Sequence, residues 1–249
     1  MGFIGGKLGY WLLSTGWQQQ SSESDDGRQS GDKLEHIFGP EIYLEMRDKV
    51  VIDFGCGGGR EAVEIARKGA KKVIGIDIRD DQLEIAAQYA MRSGVASQCE
   101  FLHASDQKAD IVISIDAFEH FADPIAMLLI MKKVLKPGGY IIVSFGPTWY
   151  HPYGGHLFSV FPWAHLIFTE AALIRWRSDI RSDGASTFAE VAGGLNQITI
   201  RQFENIVEQA GYDFLSFEAV PIRSLRAFAN RLTREFTTSL IRCRLQCHS

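Results

Sequence analysis

The sequence predicts an α/β fold with a doubly wound parallel sheet. Between residues 50 and 146, five short apolar runs alternate with segments whose apolar residues recur at helical spacing. Glycine closes these helical segments, as expected where a helix ends. Strands that alternate with helices in this way need right-handed crossover connections, and such connections build a parallel sheet with helices on both faces.

Seven runs have the composition and length of strands. They are residues 50–54, 72–77, 99–104, 109–116, 140–146, 213–220 and 239–247. The first, VVIDF, is apolar apart from Asp53, which is typical of a central strand buried on both faces. The last alternates Ile241, Cys243 and Leu245 with arginine, the period of a strand with one buried face. The residues alone leave its direction open.

Helical periodicity marks six further segments. They are residues 33–46, 60–69, 79–94, 123–139, 199–212 and 223–236. The first is interrupted at Gly39–Pro40, and the fourth ends at Pro-Gly-Gly. Asp123 is placed to cap that fourth helix, while Thr199 and Gln202 predict a capping box for the fifth. The last, 223–236, is predicted to be an amphipathic helix.

The chain divides into three parts. Residues 18–32 are polar and rich in Ser, Asp and Gln, so residues 1–32 are expected to form a flexible N-terminal tail. Contact of this tail with a membrane or a partner through Trp11, Leu12, Leu13 and Trp17 is the alternative. Residues 33–249 form the domain. Within it, residues 147–195 break the strand and helix rhythm and are expected to form a cap inserted after the fifth strand.

Composition excludes several functional classes. The net charge of −4 is small and lacks the basic footprint of a nucleic-acid-binding protein. The four cysteines fit neither a zinc site nor a disulfide framework, so a reducing cytoplasm is expected. The apolar N-terminal run is too short to cross a bilayer and lacks the features of a signal peptide.

A glycine-rich turn follows the first strand. Asp53 closes that strand, and Gly55-Cys56-Gly57-Gly58-Gly59 precedes a helix, an arrangement that brings a ligand against bare backbone. Arg60 stands where the dinucleotide fingerprint needs its third small residue, and the lysine of a P-loop is absent. Asp77, at the end of the second strand, is placed to accept ribose hydroxyls. An adenosine that carries an amino acid instead of a phosphate fits these residues.

Five motifs together resemble those of S-adenosylmethionine-dependent methyltransferases with the seven-stranded Rossmann-like class I fold, and more narrowly the methyltransferase type 11 group. They are VIDFGCGGG, VIGIDI, FLHASD, DIVISIDAFEHFADP and LKPGGYIIVSF, which occur in the family's order within residues 49–146. The resemblance implies a seven-stranded, mostly parallel sheet whose final strand is antiparallel and lies beside the fifth. It also implies S-adenosylmethionine as the cofactor.

The resemblance assigns the glycine turn to the methionine part of that cofactor. Gly55, Gly57 and Gly59 would line it, with Cys56 between them in the same turn. Asp53 would position the cofactor's amino group directly or through water. Cys56 has no activating histidine or lysine nearby in sequence, so a nucleophilic role is not expected for it.

The resemblance assigns the next strand ends to the adenosine. Asp77 would accept the ribose hydroxyls, Ile78 would lie against the adenine, and Asp106 would meet the adenine amino group. The connection that carries Asp106 is shorter than usual in the family. The floor below the reactive sulfonium matches three consecutive residues at the end of the fourth strand: Ser114, Ile115 and Asp116.

The metal alternative concerns the residues that follow this floor. Some ubiquinone-type O-methyltransferases hold a divalent ion with acidic and histidine side chains at this point. Asp116, Glu119 and His120 imitate that pattern, but helix capping and packing account for them equally well. No metal is predicted.

The cap is expected to cover the methyl group because it starts at the carboxyl end of the fifth strand. Its aromatic residues form either a small core or the walls of an acceptor pocket; they are Trp149, Tyr150, Tyr153, Phe158, Phe161 and Trp163. His151 and His156 are the candidate catalytic residues, since a histidine suits the removal of a proton from an oxygen acceptor.

The predicted function is methyl transfer from S-adenosylmethionine to a small-molecule or a glycan- or lipid-linked acceptor, with O-methylation by a histidine base as the detailed form. Neither a nucleic acid nor an integral membrane segment is expected. Two alternatives remain open at this point. One is a nicotinamide-dependent oxidoreductase, which Arg60 opposes, and the other is an S-adenosylmethionine-binding interaction protein without turnover.

Overall fold

A computed structural model describes residues 2–16, 32–158, 160–179, 181, 184–191 and 194–248. Seven strands in this part of the chain form one sheet in the order β3-β2-β1-β4-β5-β7-β6. The strands are β1 (Val50–Phe54), β2 (Lys72–Ile76), β3 (Cys99–Leu102), β4 (Ala109–Ile115), β5 (Leu135–Phe145), β6 (Tyr212–Pro221) and β7 (Thr238–Cys247). The first five pair in parallel, which confirms the predicted α/β class and the doubly wound sheet.

The helices lie between these strands and in the cap. They are α1 (Gly6–Gly16), α2 (Lys33–Phe38), α3 (Ile42–Met46), α4 (Arg60–Arg67), α5 (Asp80–Arg92), α6 (Pro124–Val134), α7 (Ala164–Ile167), α8 (Glu170–Ser178), α9 (Ile200–Gln209) and α10 (Arg234–Thr237). The side chain of Asp123 accepts a hydrogen bond from the Ala126 amide, and Thr199 and Gln202 form the predicted capping box of α9. None of the helices in the described ranges has the length and apolar character needed to cross a membrane.

The last strand runs antiparallel, as the family resemblance implied. β7 pairs antiparallel with both β5 and β6, and Phe145 of β5 lies opposite Ile241 of β7. Ile241, Cys243 and Leu245 are fully buried or nearly so, which confirms the one-sided burial that their alternation predicts. Since β6 and β5 are both antiparallel to β7, β6 and β5 end at the same edge of the sheet.

Two apolar clusters cover the two faces of the sheet. Successive residues of a strand point to opposite faces, so Val51 belongs to one cluster and Ile52 to the other. Helices α6 and α9 cover the Ile52 face, and α3, α4 and α5 cover the Val51 face. The carboxyl ends of β1, β2, β4 and β5 therefore meet at one edge between these layers, where ligands of open α/β sheets bind.

Helix α6 ends earlier than predicted. The sequence places its end at Pro-Gly-Gly, residues 137–139, but the helix stops at Val134 and the chain continues directly into β5. Leu135 already pairs with Ala109 of β4, and the register shifts before Tyr140 pairs with Ile111. Strand pairing across this irregularity therefore competes successfully with the helical pattern of the last turn.

The predicted helix over residues 223–236 is wrong. Arg223–Phe228 form a 3₁₀ segment without a buried residue, and only Arg234–Thr237 are α-helical. An amphipathic helix is stable when its apolar face packs against a core. Phe228 and Leu232 instead remain 67% and 91% exposed, so their side chains contribute little to any core.

The cap has its own core, and the start of the chain belongs to it. Leu13 of α1 is fully buried in a cluster with Trp149, Phe158 and Trp176, and Phe168 forms a bridge with Ile4. The expectation of a flexible tail is therefore wrong for residues 2–16, because this helix buries apolar surface against the cap. The remainder of the tail, residues 17–31 including Trp17, lies outside the described residues.

Candidate active site

The glycine turn is fastened to the end of β2. The amides of Gly55 and Cys56 both donate hydrogen bonds to the Ile76 carbonyl, at 2.8 and 3.0 Å. Gly55, Gly57 and Gly59 have φ angles of 85°, 48° and 74°, which side chains other than glycine rarely adopt. The predicted turn is thus present in a conformation that requires glycine.

The three glycines serve different purposes. A Cβ on Gly59 would lie 2.6 Å from the Ala86 Cβ, and one on Gly55 would lie 2.8 Å from the Ala117 Cβ, so these two allow the turn to pack against α5 and the end of β4. A Cβ on Gly57 would meet only Arg79, at 3.8 Å. Gly57 therefore borders open space, in which a ligand can come close to the backbone of the turn.

Cys56 is part of the turn but does not line the open space. Its thiol packs toward β2, where a Cβ on Gly75 would lie 2.9 Å from the Sγ atom. Burial raises the pKa of the Cys56 thiol, with the nearby carboxylates of Asp53 and Asp77 adding to the effect. A protonated, buried thiol is not a nucleophile, in agreement with the sequence analysis.

Asp77 contacts the glycine turn directly. Its Oδ2 accepts a hydrogen bond of 2.9 Å from the Gly57 amide, and its Oδ1 accepts bonds from the amide and the Nε of Arg79, at 3.0 and 3.2 Å. A carboxylate offers about four acceptor positions. Oδ2 thus keeps one position for a hydroxyl, and Oδ1 gains one when the half-exposed Arg79 side chain moves away.

Ile78 and Asp106, the residues predicted to contact the adenine, lie in different surroundings. Ile78 follows Asp77 with 88% of its surface exposed, an apolar side chain that a flat ring can cover. Asp106 is exposed on the connection after β3, and no contact links it to the glycine turn. His103 of the same connection lies closer, since its ring nitrogens contact the Asp77 carbonyl and the Asp80 carboxylate.

Buried carboxyl groups surround the end of β1. Asp53 is 2% exposed, and burial followed by the charge of Glu61 raises its pKa well above the usual value. Burial also raises the pKa of Glu61. Glu119 is 2% exposed, and burial together with the charge of Asp116 raises its pKa to about 8. Burial disfavours the ionised form of each of these groups.

Lys33 is the cation nearest to this cluster. It forms a short ion pair with Asp116 at the end of β4. Burial acts to lower the pKa of Lys33, but the charges of Asp116, Glu61 and Glu119 outweigh it, so the pKa is raised. In their ionised forms, the carboxyl groups of Asp53, Glu61, Asp116 and Glu119 outnumber Lys33 and Arg60, whose charge also acts on Glu61. Ionisation of this cluster therefore favours a further positive charge.

Several buried polar atoms at this edge have no hydrogen-bond partner among the described residues: Asp53 Oδ2, Ser114 Oγ, Glu119 Oε2, Ser144 Oγ, Thr148 Oγ1 and His156 Nε2. Buried polar atoms normally have a partner, so a group of orphans points to a ligand. Ser114, Ile115 and Asp116, the predicted floor, close this edge at the end of β4, where Asp116 donates its amide to the Ser144 carbonyl.

The candidate catalytic histidines are both in the cap. Burial, followed by a neighbouring histidine, lowers the pKa of His151 and of His156 to about 4. The His156 ring lies 5.7 Å from the ring of His120, which follows β4 closely. This contact brings His156 to the edge that carries Asp116 and Glu119. No group of three His, Cys, Asp or Glu residues in the described ranges is arranged to hold a metal ion.

Sequence reasoning missed Lys33 and Glu61. Glu61 stands in the first turn of the helix that follows the glycine turn, and this position is a signal that could have found it. Lys33 starts α2, close behind a polar segment, and only the folded chain brings it to Asp116.

Comparisons with known proteins agree with this geometry. Residues 45–150 match a family described as a methyltransferase domain. A ubiquinone biosynthesis O-methyltransferase of Cereibacter sphaeroides is 38% identical over 99 residues, which cover 38% of this chain and 40% of that protein. A ribosomal protein L11 methyltransferase of Vibrio cholerae is 40% identical over 102 residues, which cover 41% of this chain and 35% of that protein.

Residues 45–150 form a methyltransferase domain, which resembles those of the class I, S-adenosylmethionine-dependent enzymes. The sequence matches span about two fifths of the curated relatives' length, 40% of the first. The family match, residues 45–150, includes the glycine turn, Asp77 and the end of β4, and it ends near the start of the cap. The methyltransferase domain is therefore shared with these relatives, while the cap is not covered by the family match.

Solved structures extend the likeness of fold to most of the chain. Magnesium protoporphyrin IX methyltransferase of Synechocystis PCC 6803, solved with bound S-adenosylhomocysteine, has a TM-score of 0.53 at 17% identity and covers 83% of this chain and 77% of its own. The [4+2]-cyclase SpnF has a TM-score of 0.53 at 17% identity and covers 83% and 79%. These likenesses show the fold alone, which hosts more than one chemistry.

The residues present fit the cofactor. S-adenosylmethionine carries positive charge on its sulfonium and amino groups, and the cluster of Asp53, Glu61, Asp116 and Glu119 favours such a charge. The partnerless Oδ2 of Asp53 can accept from the amino group, and Asp77 has room for a ribose hydroxyl. Lys33, which pairs with Asp116, would be the cation available to the carboxylate of the same ligand.

Proposed function

We propose that this chain methylates a phenolic oxygen of a small or lipid-linked acceptor, with His156 as the general base. When bound, S-adenosylmethionine supplies an electrophilic methyl group on a sulfonium. The cleft residues hold and orient that group, and the cap supplies the acceptor site. The name of the O-methyltransferase relatives supports an oxygen as the acceptor atom.

One observation carries the proposal. The Nε2 atom of His156 is buried and has no hydrogen-bond partner among the described residues. In the neutral ring with its proton on Nδ1, Nε2 holds a free lone pair. An acceptor hydroxyl that reaches this atom would find a base for its proton.

His151 is less suited to this role. Its Nδ1 atom accepts a hydrogen bond of 3.0 Å from the Tyr153 amide, so the proton of the neutral ring is on Nε2. The lone pair that a base needs is thus already engaged by the backbone. His151 holds the turn at the start of the cap in place.

The lowered pKa narrows the class of acceptor. With a pKa of about 4, His156 stays unprotonated at neutral pH but is a weak base. A phenol, with a pKa of about 10, gives up its proton more readily than an aliphatic hydroxyl does. Phenolic oxygens are therefore favoured over the hydroxyls of a glycan.

The test is transfer of a labelled methyl group from S-adenosylmethionine to a panel of phenols, catechols and alcohols. His156→Asn should lower kcat about 10²- to 10⁴-fold, the usual contribution of a general base. Asparagine tolerates the positive φ of 49° found at this position. Affinity for S-adenosylhomocysteine should stay unchanged, which separates catalysis from folding. His151→Asn is the matched control, and an equal loss of kcat in both variants would contradict the assignment.

The two alternatives have distinct outcomes in the same experiment. A cofactor-binding protein without turnover would bind S-adenosylhomocysteine but transfer no label to any acceptor of the panel. A nicotinamide oxidoreductase would bind a nicotinamide dinucleotide in preference to S-adenosylmethionine; the relatives give this alternative no support.

A further inference from the structure

The segment between β6 and β7, residues Ile222–Thr237, has an unusual surface; we call it the β6–β7 connection. It carries Phe228, Leu232 and Phe236, which are 67%, 91% and 45% exposed. Arginine recurs through it at positions 223, 226, 231 and 234, and Glu235 is its one acidic residue. This local excess of positive charge contrasts with the net charge of −4 of the whole chain.

The acidic residue and one arginine are already engaged. Glu235 accepts hydrogen bonds from the amides of Ile200 and Arg201, at 3.0 and 2.9 Å, and Arg234 pairs with both carboxylate oxygens of Glu204. These contacts anchor the end of the connection to α9. Arg223, Arg226 and Arg231 are exposed and form no ion pair with any residue that the structure describes.

The exposed apolar residues are held in place by local hydrogen bonds. Asn230 Oδ1 accepts from the Leu232 amide at 2.8 Å, and the Thr233 hydroxyl donates to the Phe228 carbonyl at 2.6 Å. These bonds fix a tight turn that presents Leu232 outward. Leaving such a side chain in water forgoes about 1.5–3 kcal/mol of burial energy.

The connection lies at the edge of the sheet that carries the active site. β6 runs parallel to β5, so the connection starts where β5 ends and the cap begins. The Phe236 ring lies 5.2 Å from the ring of Tyr150 in the cap. A surface that binds the connection would therefore face the acceptor side of the molecule.

We infer that the β6–β7 connection docks this protein on an anionic lipid surface. Unpaired arginines beside exposed aromatic and aliphatic side chains match the charge of acidic headgroups and the apolar layer beneath them. A nucleic acid would pair with the arginines but offers no site for the aliphatic Leu232. The inference does not depend on the proposed methyl transfer.

The experiment measures binding of the full chain to vesicles by flotation. Vesicles of phosphatidylcholine alone are compared with an equimolar mixture of phosphatidylcholine and phosphatidylglycerol. We expect binding to the anionic vesicles and not to the neutral ones, weakened by added salt. Arg226→Gln with Arg231→Gln should weaken it roughly fivefold for each arginine. Phe228→Ser with Leu232→Ser should weaken it at least about tenfold.

The matched control changes the same chemistry at the opposite edge of the sheet. Met91 and Arg92, exposed at the end of α5, become serine and glutamine, and vesicle binding should be unchanged. The melting temperature and the affinity for S-adenosylhomocysteine show whether each variant is folded. If the variant with both Phe228→Ser and Leu232→Ser does not fold, Leu232→Ser alone is tested in its place.

Three results would overturn the inference: no binding to anionic vesicles, equal binding to neutral ones, or variants that bind like the wild type. Self-association that Leu232→Ser abolishes, without vesicle binding, would show that a second copy covers this surface instead. If the wild type binds anionic vesicles but transfers no methyl group to any acceptor, the proposed function alone is contradicted.

Discussion

The cofactor cleft and the cap meet at the same edge of the sheet but bury opposite kinds of titratable group. In the cleft, burial raises the pKa of Asp53, Glu61 and Glu119. In the cap, burial lowers the pKa of His151 and His156 to about 4. Both shifts follow from one rule, since burial disfavours whichever form is charged. The cleft therefore favours the binding of a cation, and the buried histidines of the cap are neutral bases.

The largest expected effect tests the cleft through the pH dependence of stability. The folded pKa of Glu119, about 8, lies above its unfolded value, so its contribution is complete at low pH and is lost as pH rises toward 8. Glu119→Gln should remove up to about 1.4 kcal/mol of this loss per pH unit, or roughly 4 kcal/mol between pH 5 and 8. Urea denaturation across that range measures it, and an unchanged slope would contradict the burial of Glu119.

The second test concerns the turn that builds the cleft. Gly59→Ala places a Cβ 2.6 Å from Ala86 at a φ of 74°, and should cost about 3 kcal/mol of unfolding free energy from overpacking and strain together. Gly94→Ala is the control, because Gly94 has the same φ of 74° with nothing within 4 Å of the added atom. It should cost only about 1 kcal/mol. Equal losses in denaturation would show that the close packing of the turn against α5 is unimportant.

The third test concerns cofactor affinity. Asp77→Ala should weaken binding of S-adenosylhomocysteine roughly a hundredfold, since it removes hydrogen bonds to a charged group and a bond that holds Gly57. Asp80→Ala, at an exposed neighbouring carboxylate, should leave the affinity within about twofold. Calorimetric titration of both variants gives the ratio. If the two behave alike, Asp77 does not hold the ribose.

The smallest effect tests the cap, and its sign is opposite to that of the cleft. The folded pKa of His156, about 4, lies below its unfolded value of 6.5, so its contribution is complete above pH 6.5 and is lost as pH falls toward 4. The wild type should therefore lose unfolding free energy as the pH falls from 6.5 to 5. His156→Asn should reduce that loss by roughly 2 kcal/mol. Thermal or urea unfolding at several pH values measures this loss. If the variant loses as much unfolding free energy as the wild type, the side chain of His156 is exposed to water and not buried.

The fold of residues 50–146 could be predicted from the sequence, because local patterns and topology agree in this part of the chain. Each apolar run from residue 50 to 146 became a strand, because buried parallel strands are continuously apolar and their connections leave few arrangements. The contact between the glycine turn and Asp77 could be expected, because the sequence places them at the ends of two adjacent strands.

Features that depend on distant contacts were missed. The end of α6 was misplaced because the pairing of Leu135 with Ala109 decides it, not the Pro-Gly-Gly that follows. Residues 223–236 have a helical pattern but no core to cover, and residues 6–16 pack on the cap, which the sequence does not reveal. Lys33 reaches Asp116 only after α2 has packed against the sheet.

Buried carboxyl groups of the cleft that are protonated in the free protein should ionise when a cationic cofactor binds. Calorimetric titration with S-adenosylmethionine at pH 7, in two buffers with different ionisation enthalpies, measures the protons released. We expect tight binding with release of about one proton, and loss of that release in Glu119→Gln while binding persists. Absence of binding, or binding of the wild type without proton release, would show that these groups do not receive the cofactor's charge.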